Sequence, residues 1–125
     1  MYLLDTNALI CALFIPERLS AAAKEQIESS DSLFVSVVSL WEIAIKQSIG
    51  KLDIAASIPE IVQTCGALQM TMLPIHPNHI EGIKALPSIH HDPFDRLIIA
   101  QAIAEKLTII TMDQIIPKYS VTTLW

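Results

Sequence analysis

Residues 92–113 read DPFDRLIIAQAIAEKLTIITMD, and this stretch decides the fold. Asp92, Pro93 and Asp95 stand as an N-cap, a proline in the first turn and an acid at the third helical position. Leu97, Ile98, Ala100, Ile103 and Ala104 follow at helical spacing and predict a core face, not a cofactor box, so a helix is expected over Asp92–Lys106. Leu107–Thr111 is apolar and β-branched, which predicts a strand directly behind the helix, with Asp113 just past its end. Working outward, the same alternation recurs. Strands are expected at Tyr2–Leu4, Leu33–Val38, Met70–Ile75 and Val121–Leu124. Helices are expected at Asn7–Phe14, Glu17–Ser30, Leu40–Ile49, Ser57–Leu68 and Asn78–Leu86. Strands alternating with helices imply an α/β domain with a central, mainly parallel sheet flanked by helices.

The 125 residues suit one domain, 1–125, with no repeat or linker. Apolar residues make up 52% and charged residues only 17%, which excludes a disordered tail. Mean hydropathy of +0.48 is high for so small a domain and points to an apolar face that meets a partner. Glu42, Lys46 and Gln101 interrupt the longest apolar runs, so no membrane span is expected. Asp5 stands where a signal peptide would be apolar, and Cys11 and Cys65 have no ligand or CxxC spacing. Together these imply free thiols and a cytoplasmic protein. The net charge of −5 argues against a broad basic surface for nucleic acid, unless bound metal neutralises some of the acids.

In an open parallel sheet, sites form beyond the carboxyl ends of the strands. Asp5 ends the first strand, Glu42 follows the second, Asp113 follows the fourth, and Asp95 opens the helix that runs back to that fourth strand. All four are expected on one sheet edge. Spacing alone also allows a capping role: Ser39-Leu40-Trp41-Glu42 has the form of a capping box, Asp92 and Asp95 that of a helix start, and Asp113 can cap a turn. Asp5, at the end of a buried run, is the acid whose cost most demands compensation. Carboxylates around a cleft with hydroxyl and amide neighbours suit a hard cation such as Mg²⁺ or Mn²⁺.

LDTNALI (4–10), SLWEIAIKQSIGKL (39–52), HHDPFDRLIIAQAIAE (90–105) and IITMD (109–113), in that order, resemble the PIN domain family, and within it the VapC-type toxins of bacterial toxin–antitoxin pairs. The resemblance implies a PIN-like fold and metal-dependent ribonuclease activity. It implies that Asp5, Glu42, Asp95 and Asp113 form the acidic quartet, with Thr6, Asn7 and Thr111 as polar support and Asp92 as a secondary, capping acid. It also implies an RNA substrate, a VapB-type antitoxin and a homodimer. Setting the quartet aside leaves nine of the 13 acids against eight bases, so RNA would be guided by local cations. Bound divalent metal makes water nucleophilic near neutral pH and offsets charge on phosphoryl oxygens.

Other residues are read one at a time. Lys46, four after Glu42, is expected to pair with it or to contact a phosphate, and Arg96 to contact phosphate or lie on a helix surface. Four histidines permit a zinc reading, His76 and His79 in the HPNH run at 76–79 and His90 with His91, but no cysteine lies near and Pro77 favours a loop or helix start. Trp41, Phe94 and Trp125 are expected to be packing anchors. Two rival functions stay open: a phosphatase or phosphotransferase with Asp5 as nucleophile, which would want an acid where Asn7 stands, and a noncatalytic interaction module whose acids cap helices.

Overall fold

Leu3 and Leu4 are neighbours in the chain but belong to different cores, because successive side chains of a strand point to opposite faces of its sheet. In the computed structural model, which describes residues 1–125, both are fully buried, as are Ile109 and Ile110. Burial of each such side chain is worth about 1.5–3 kcal/mol. Strand β1 (Tyr2–Leu4) is central. It pairs in parallel with β2 (Leu33–Ser36) on one side and β4 (Thr108–Ile110) on the other. β3 (Met70–Leu73) adds beyond β2 and β5 (Thr123–Leu124) beyond β4, giving an all-parallel sheet of order 3-2-1-4-5.

Six helices cover it: α1 (Thr6–Phe14), α2 (Ala21–Ser29), α3 (Val37–Ser48), α4 (Ile58–Ala67), α5 (Pro77–Ile83) and α6 (Pro93–Glu105). Residues of α1, α2, α3 and α4 join Leu4, Val35 and Ile110 in one core. Leu97, Ile98 and Ile99 of α6 join Leu3 and Ile109 in the other. The chain moves outward from β1 through β2 to β3, then returns to place β4 on β1's free side. The order therefore reverses between β1 and β4, and a crevice opens beyond their carboxyl ends.

Several expected boundaries move, each for a local reason. The Glu17–Ser30 helix splits. Residues Pro16–Arg18 form a short 3-10 turn, and the Ser20 side chain accepts from Ala23 N–H, which starts α2 at Ala21. Val37 and Val38, expected in the second strand, are helical, because Ser36 Oγ accepts from Val38 N–H and caps α3 three residues earlier than expected. The same hydroxyl donates to Gln101 Oε1 in α6, and Gln101 Nε2 donates to Pro74 O, so a buried polar chain fixes that start. In α6 the inward residues include Ile99, Gln101 and Ala102, whereas Ile103 and Ala104 face solvent. Lys106, in the left-handed region at φ 57°, ends α6 without a glycine and lets β4 begin at Thr108.

Candidate metal centre and active site

Four elements deliver the acids to the crevice at the switch point. The Asp5 side chain caps α1: its Oδ1 accepts from Ala8 N–H at 2.8 Å, while Oδ2 accepts from the Thr111 hydroxyl at the end of β4. Thr111 Oγ1 in turn accepts from Asp113 N–H at 2.9 Å. Asp113 Oδ1 accepts from the N–H groups of Ile115 (2.6 Å) and Ile116 (3.2 Å). Asp92 caps α6 through Phe94 and Asp95 N–H, placing Asp95 in its first turn. With the cap at Ser36, Ser39 and Glu42 form no capping box. Ser39 Oγ accepts from Thr6 Oγ1 at 3.0 Å, locking α1 to α3, and Glu42 is left to face the crevice.

The acids line one polar cavity of about 190 Å³, with Thr111 behind Asp5 and outside the lining. Asp5, Glu42, Asp92, Asp95 and Asp113 contribute carboxylates, with Asn7 and Lys46 at its wall. Lys46 Nζ sits 2.7 Å from Glu42 Oε2, while Glu42 Oε1 is buried with no hydrogen-bond partner. Burial pushes the Asp5 carboxyl up to about 6 from 3.8. The Thr111 hydroxyl and Ala8 N–H oppose that rise, and the Asp113 and Glu42 charges add to it. Asp95 is raised as well, by burial first and then by the Asp92 carboxylate, with His90 pulling the other way. For Asp113, burial would raise the pKa, but the Ile115 N–H, the His90 ring and the Ile116 N–H outweigh it and hold the group low. Lys46 is raised by its hydrogen bond to Glu42. A cavity with five carboxylates, one lysine and an orphaned buried oxygen has the hard donors to hold a divalent metal.

The family model for the PIN domain matches residues 2–121. The chain belongs to the PIN domain family. Ribonuclease VapC22 of Mycobacterium tuberculosis (strain ATCC 25618 / H37Rv) is 34% identical over 120 residues, covering 90% of this chain and 86% of that protein. Among solved structures, VapBC2 from Rickettsia felis, bound to a DNA fragment from its promoter, superposes with a TM-score of 0.75 at 15% identity, covering 98% of this chain and 96% of that one. FitAcB from Neisseria gonorrhoeae gives 0.71 at 16% identity, covering 100% and 97%. At these identities the superpositions show the fold of a PIN domain, the α/β class expected from the sequence.

Not every sequence expectation concerns this PIN-domain crevice. Arg96 does not line it. Its Nη1 donates to the carbonyls of Pro87 (2.9 Å) and His90 (3.4 Å) and to Tyr119 Oη, and its Nη2 donates to Ile83 O and Leu86 O. The guanidinium is a clamp on the α5–α6 connection, so a phosphate role is set aside. Arg96→Met should strand these carbonyls and lower unfolding free energy by about 2–4 kcal/mol, read by urea denaturation; a loss within 0.5 kcal/mol, the usual range for a surface site, would contradict the clamp. His76 and His79 make no metal pair: His79 is fully buried, its Nδ1 accepts from His76 N–H, and its Nε2 contacts Glu105 at 3.1 Å. Trp41 is 55% exposed and meets Phe94 edge-on at 4.9 Å, so it is only half a packing anchor. His90, weighed from the sequence only beside His91 as a zinc candidate, has its ring between Asp95 and Asp113, a contact that reading did not point to. The available signal was its place in HHDPFD, two residues ahead of a helix cap.

Proposed function

We propose that this PIN domain is a VapC-like endoribonuclease that hydrolyses RNA phosphodiester bonds with Mg²⁺ or Mn²⁺ held by Asp5, Glu42, Asp95 and Asp113. The observation that carries the reading is the convergence of these four carboxylates, from four separate elements, on one cavity where Glu42 Oε1 is buried and unpartnered. Kinship to a ribonuclease supports the chemistry. Bound divalent metal would lower the pKa of water and offset charge developing on the phosphoryl oxygens. The protein supplies the rest. Thr111 and Ala8 N–H fix the Asp5 carboxylate, and Asp92 orients the turn that carries Asp95. Lys46, 44% exposed at the rim, has the reach to give up Glu42 and meet an RNA phosphate.

Asp5 as a covalent nucleophile is disfavoured by its contacts, since one oxygen caps α1 and the other takes the Thr111 hydroxyl. A purely capping role is disfavoured by Glu42, which caps nothing. Solved relatives with this fold include toxin–antitoxin complexes, and this supports an antitoxin partner. Trp41, Ile45 and Ile49 form an exposed apolar stripe along α3, which supports docking of a protein, a second copy included. No helix is long and apolar enough to cross a membrane, and the buried free thiols Cys11 and Cys65 suit the reducing cytoplasm.

The test is cleavage of an end-labelled RNA panel by purified protein. Cleavage is expected with Mn²⁺ or Mg²⁺, and its loss in excess chelator. No cleavage of any RNA with either ion, or equal cleavage in chelator, would overturn the proposal.

A further inference from the structure

The connection from α5 to α6, residues 84–92, is held with more hydrogen bonds than a surface loop requires. Arg96 gathers four of its neighbouring and internal carbonyls. Tyr119 Oη accepts from Ile89 N–H (3.2 Å) and His90 N–H (2.7 Å) and donates to Pro87 O (2.9 Å). From this connection Asp92 lines the crevice, and His90 stands behind it against two of the other carboxylates, Asp95 and Asp113. His90 is buried, whereas its neighbour His91 is exposed.

The His90 ring has a defined polarity. Its Nδ1 accepts from Asp92 N–H at 3.2 Å, so the ring proton resides on Nε2. That N–H donates to Asp113 Oδ2 at 3.2 Å and lies 3.0 Å from Asp95 Oδ2. The three groups lie within 4.8 Å of one another and have the composition of a metal-ligand set. The proton assignment argues otherwise. Ligation through Nε2 would require the proton to move to Nδ1, where it would point at the Asp92 N–H, and a hydrogen bond would become a donor–donor repulsion. Asp113 Oδ1 is already held by two backbone N–H groups, so the His90 contact to Oδ2 fixes the remaining freedom of that carboxylate.

We propose that His90 is a positioning residue of the metal centre and not one of its ligands: its Nε2–H spans Asp95 and Asp113 and sets the spacing at which those two carboxylates meet a divalent cation. The inference rests on the metal-dependent reading of the site. Loss of such an outer contact is expected to weaken metal binding ten- to a hundredfold.

The experiment combines a spectrum with two variants. The full chain, with ¹⁵N-labelled histidine, is titrated with Mg²⁺ while the His90 ring nitrogens are followed by NMR, and Mn²⁺ affinity is measured by calorimetry for wild type, His90→Phe and His90→Gln. The Gln amide keeps an N–H donor at the reach of Nε2. Expected are an Nε2 that stays protonated through Mg²⁺ saturation, a ten- to hundredfold weaker Mn²⁺ affinity in His90→Phe, and recovery of most of it in His90→Gln. Loss of the Nε2 proton on Mg²⁺ binding would make His90 a ligand and overturn the proposal. Wild-type affinity in His90→Phe, or His90→Gln no better than His90→Phe, would overturn it as well. If His90→Phe does not fold, the wild-type spectrum decides between donor and ligand, and a His90→Gln affinity more than tenfold below wild type counts against the proposal. Wild-type protein that binds neither ion would instead overturn the metal reading itself, and this inference with it.

Discussion

Asp5→Asn is expected to leave a folded protein whose RNA cleavage falls by about a thousandfold or more. Asparagine caps helices as well as aspartate does, so the bond from Ala8 N–H persists. Its amide nitrogen can donate to Thr111 Oγ1, reversing the direction of the bond that the hydroxyl makes to Asp5 Oδ2. What is lost is a negative charge in the buried wall of the cavity. Transition-state charge stabilisation by a bound metal is worth several kcal/mol, and about 4 kcal/mol corresponds to a factor near a thousand in rate. Single-turnover cleavage of a labelled RNA, with circular dichroism to confirm the fold, reads this directly. Near-wild-type cleavage by folded Asp5→Asn would remove Asp5 from the metal site.

The second large effect is that metal offsets the pH dependence of stability. In metal-free protein the Asp5 carboxyl sits at about 6 in the folded chain against an ordinary 3.8, so the folded state holds the proton more tightly. Its contribution is fully present below about pH 3.8 and is lost as pH rises through 6. The loss is about 3 kcal/mol at most. Asp95, also raised by burial, acts in the same direction. Asp113, held low, acts oppositely, but only below its ordinary value, where stability is lost as pH falls. Metal-free protein should therefore melt at progressively lower temperature from pH 5 to pH 7.5. Saturating Mn²⁺ favours the ionised acids and should stabilise by about 2.7 kcal/mol at a hundredfold excess over its Kd, roughly 10 °C for a domain of this size, with a much smaller effect at pH 5. Asp5→Asn without metal at pH 7.5 should melt at or above wild type, because a repulsive charge is gone. Melts that ignore Mn²⁺ across this pH range would return the acids to structural roles.

The alternation of elements and the shared sheet edge of Asp5, Glu42, Asp95 and Asp113 were legible because both follow from short-range patterns: apolar strands, helix starts and the polarity of a parallel sheet. The errors came where two local signals competed. Val37 and Val38 favour a strand by their branching, yet Ser36 outranks them through a cap reinforced by Gln101, 65 residues away. Ser39 and Glu42 match a capping pattern that is empty once the helix starts earlier. Arg96 and His90 were opaque for the same reason. Their partners, Tyr119 and Asp113, lie 23 residues further along the chain and meet them only through the fold.

The central place of β1 has a consequence for how the protein is made. The strand leaves the ribosome well before one of its two neighbours, β4, which follows β2 and β3 in the chain. The bond between Thr111 and Asp5 closes a span of 106 residues. A nascent chain therefore carries β1 with an open edge, and cannot bring Asp5 against Asp113 until β4 and the turn behind it have been made. Premature termination anywhere before β4 yields a fragment without the assembled crevice. For an enzyme proposed to cut RNA, the very polymer from which it is being translated, this topology withholds activity until the last of the four acids, Asp113, has been added and β4 has docked.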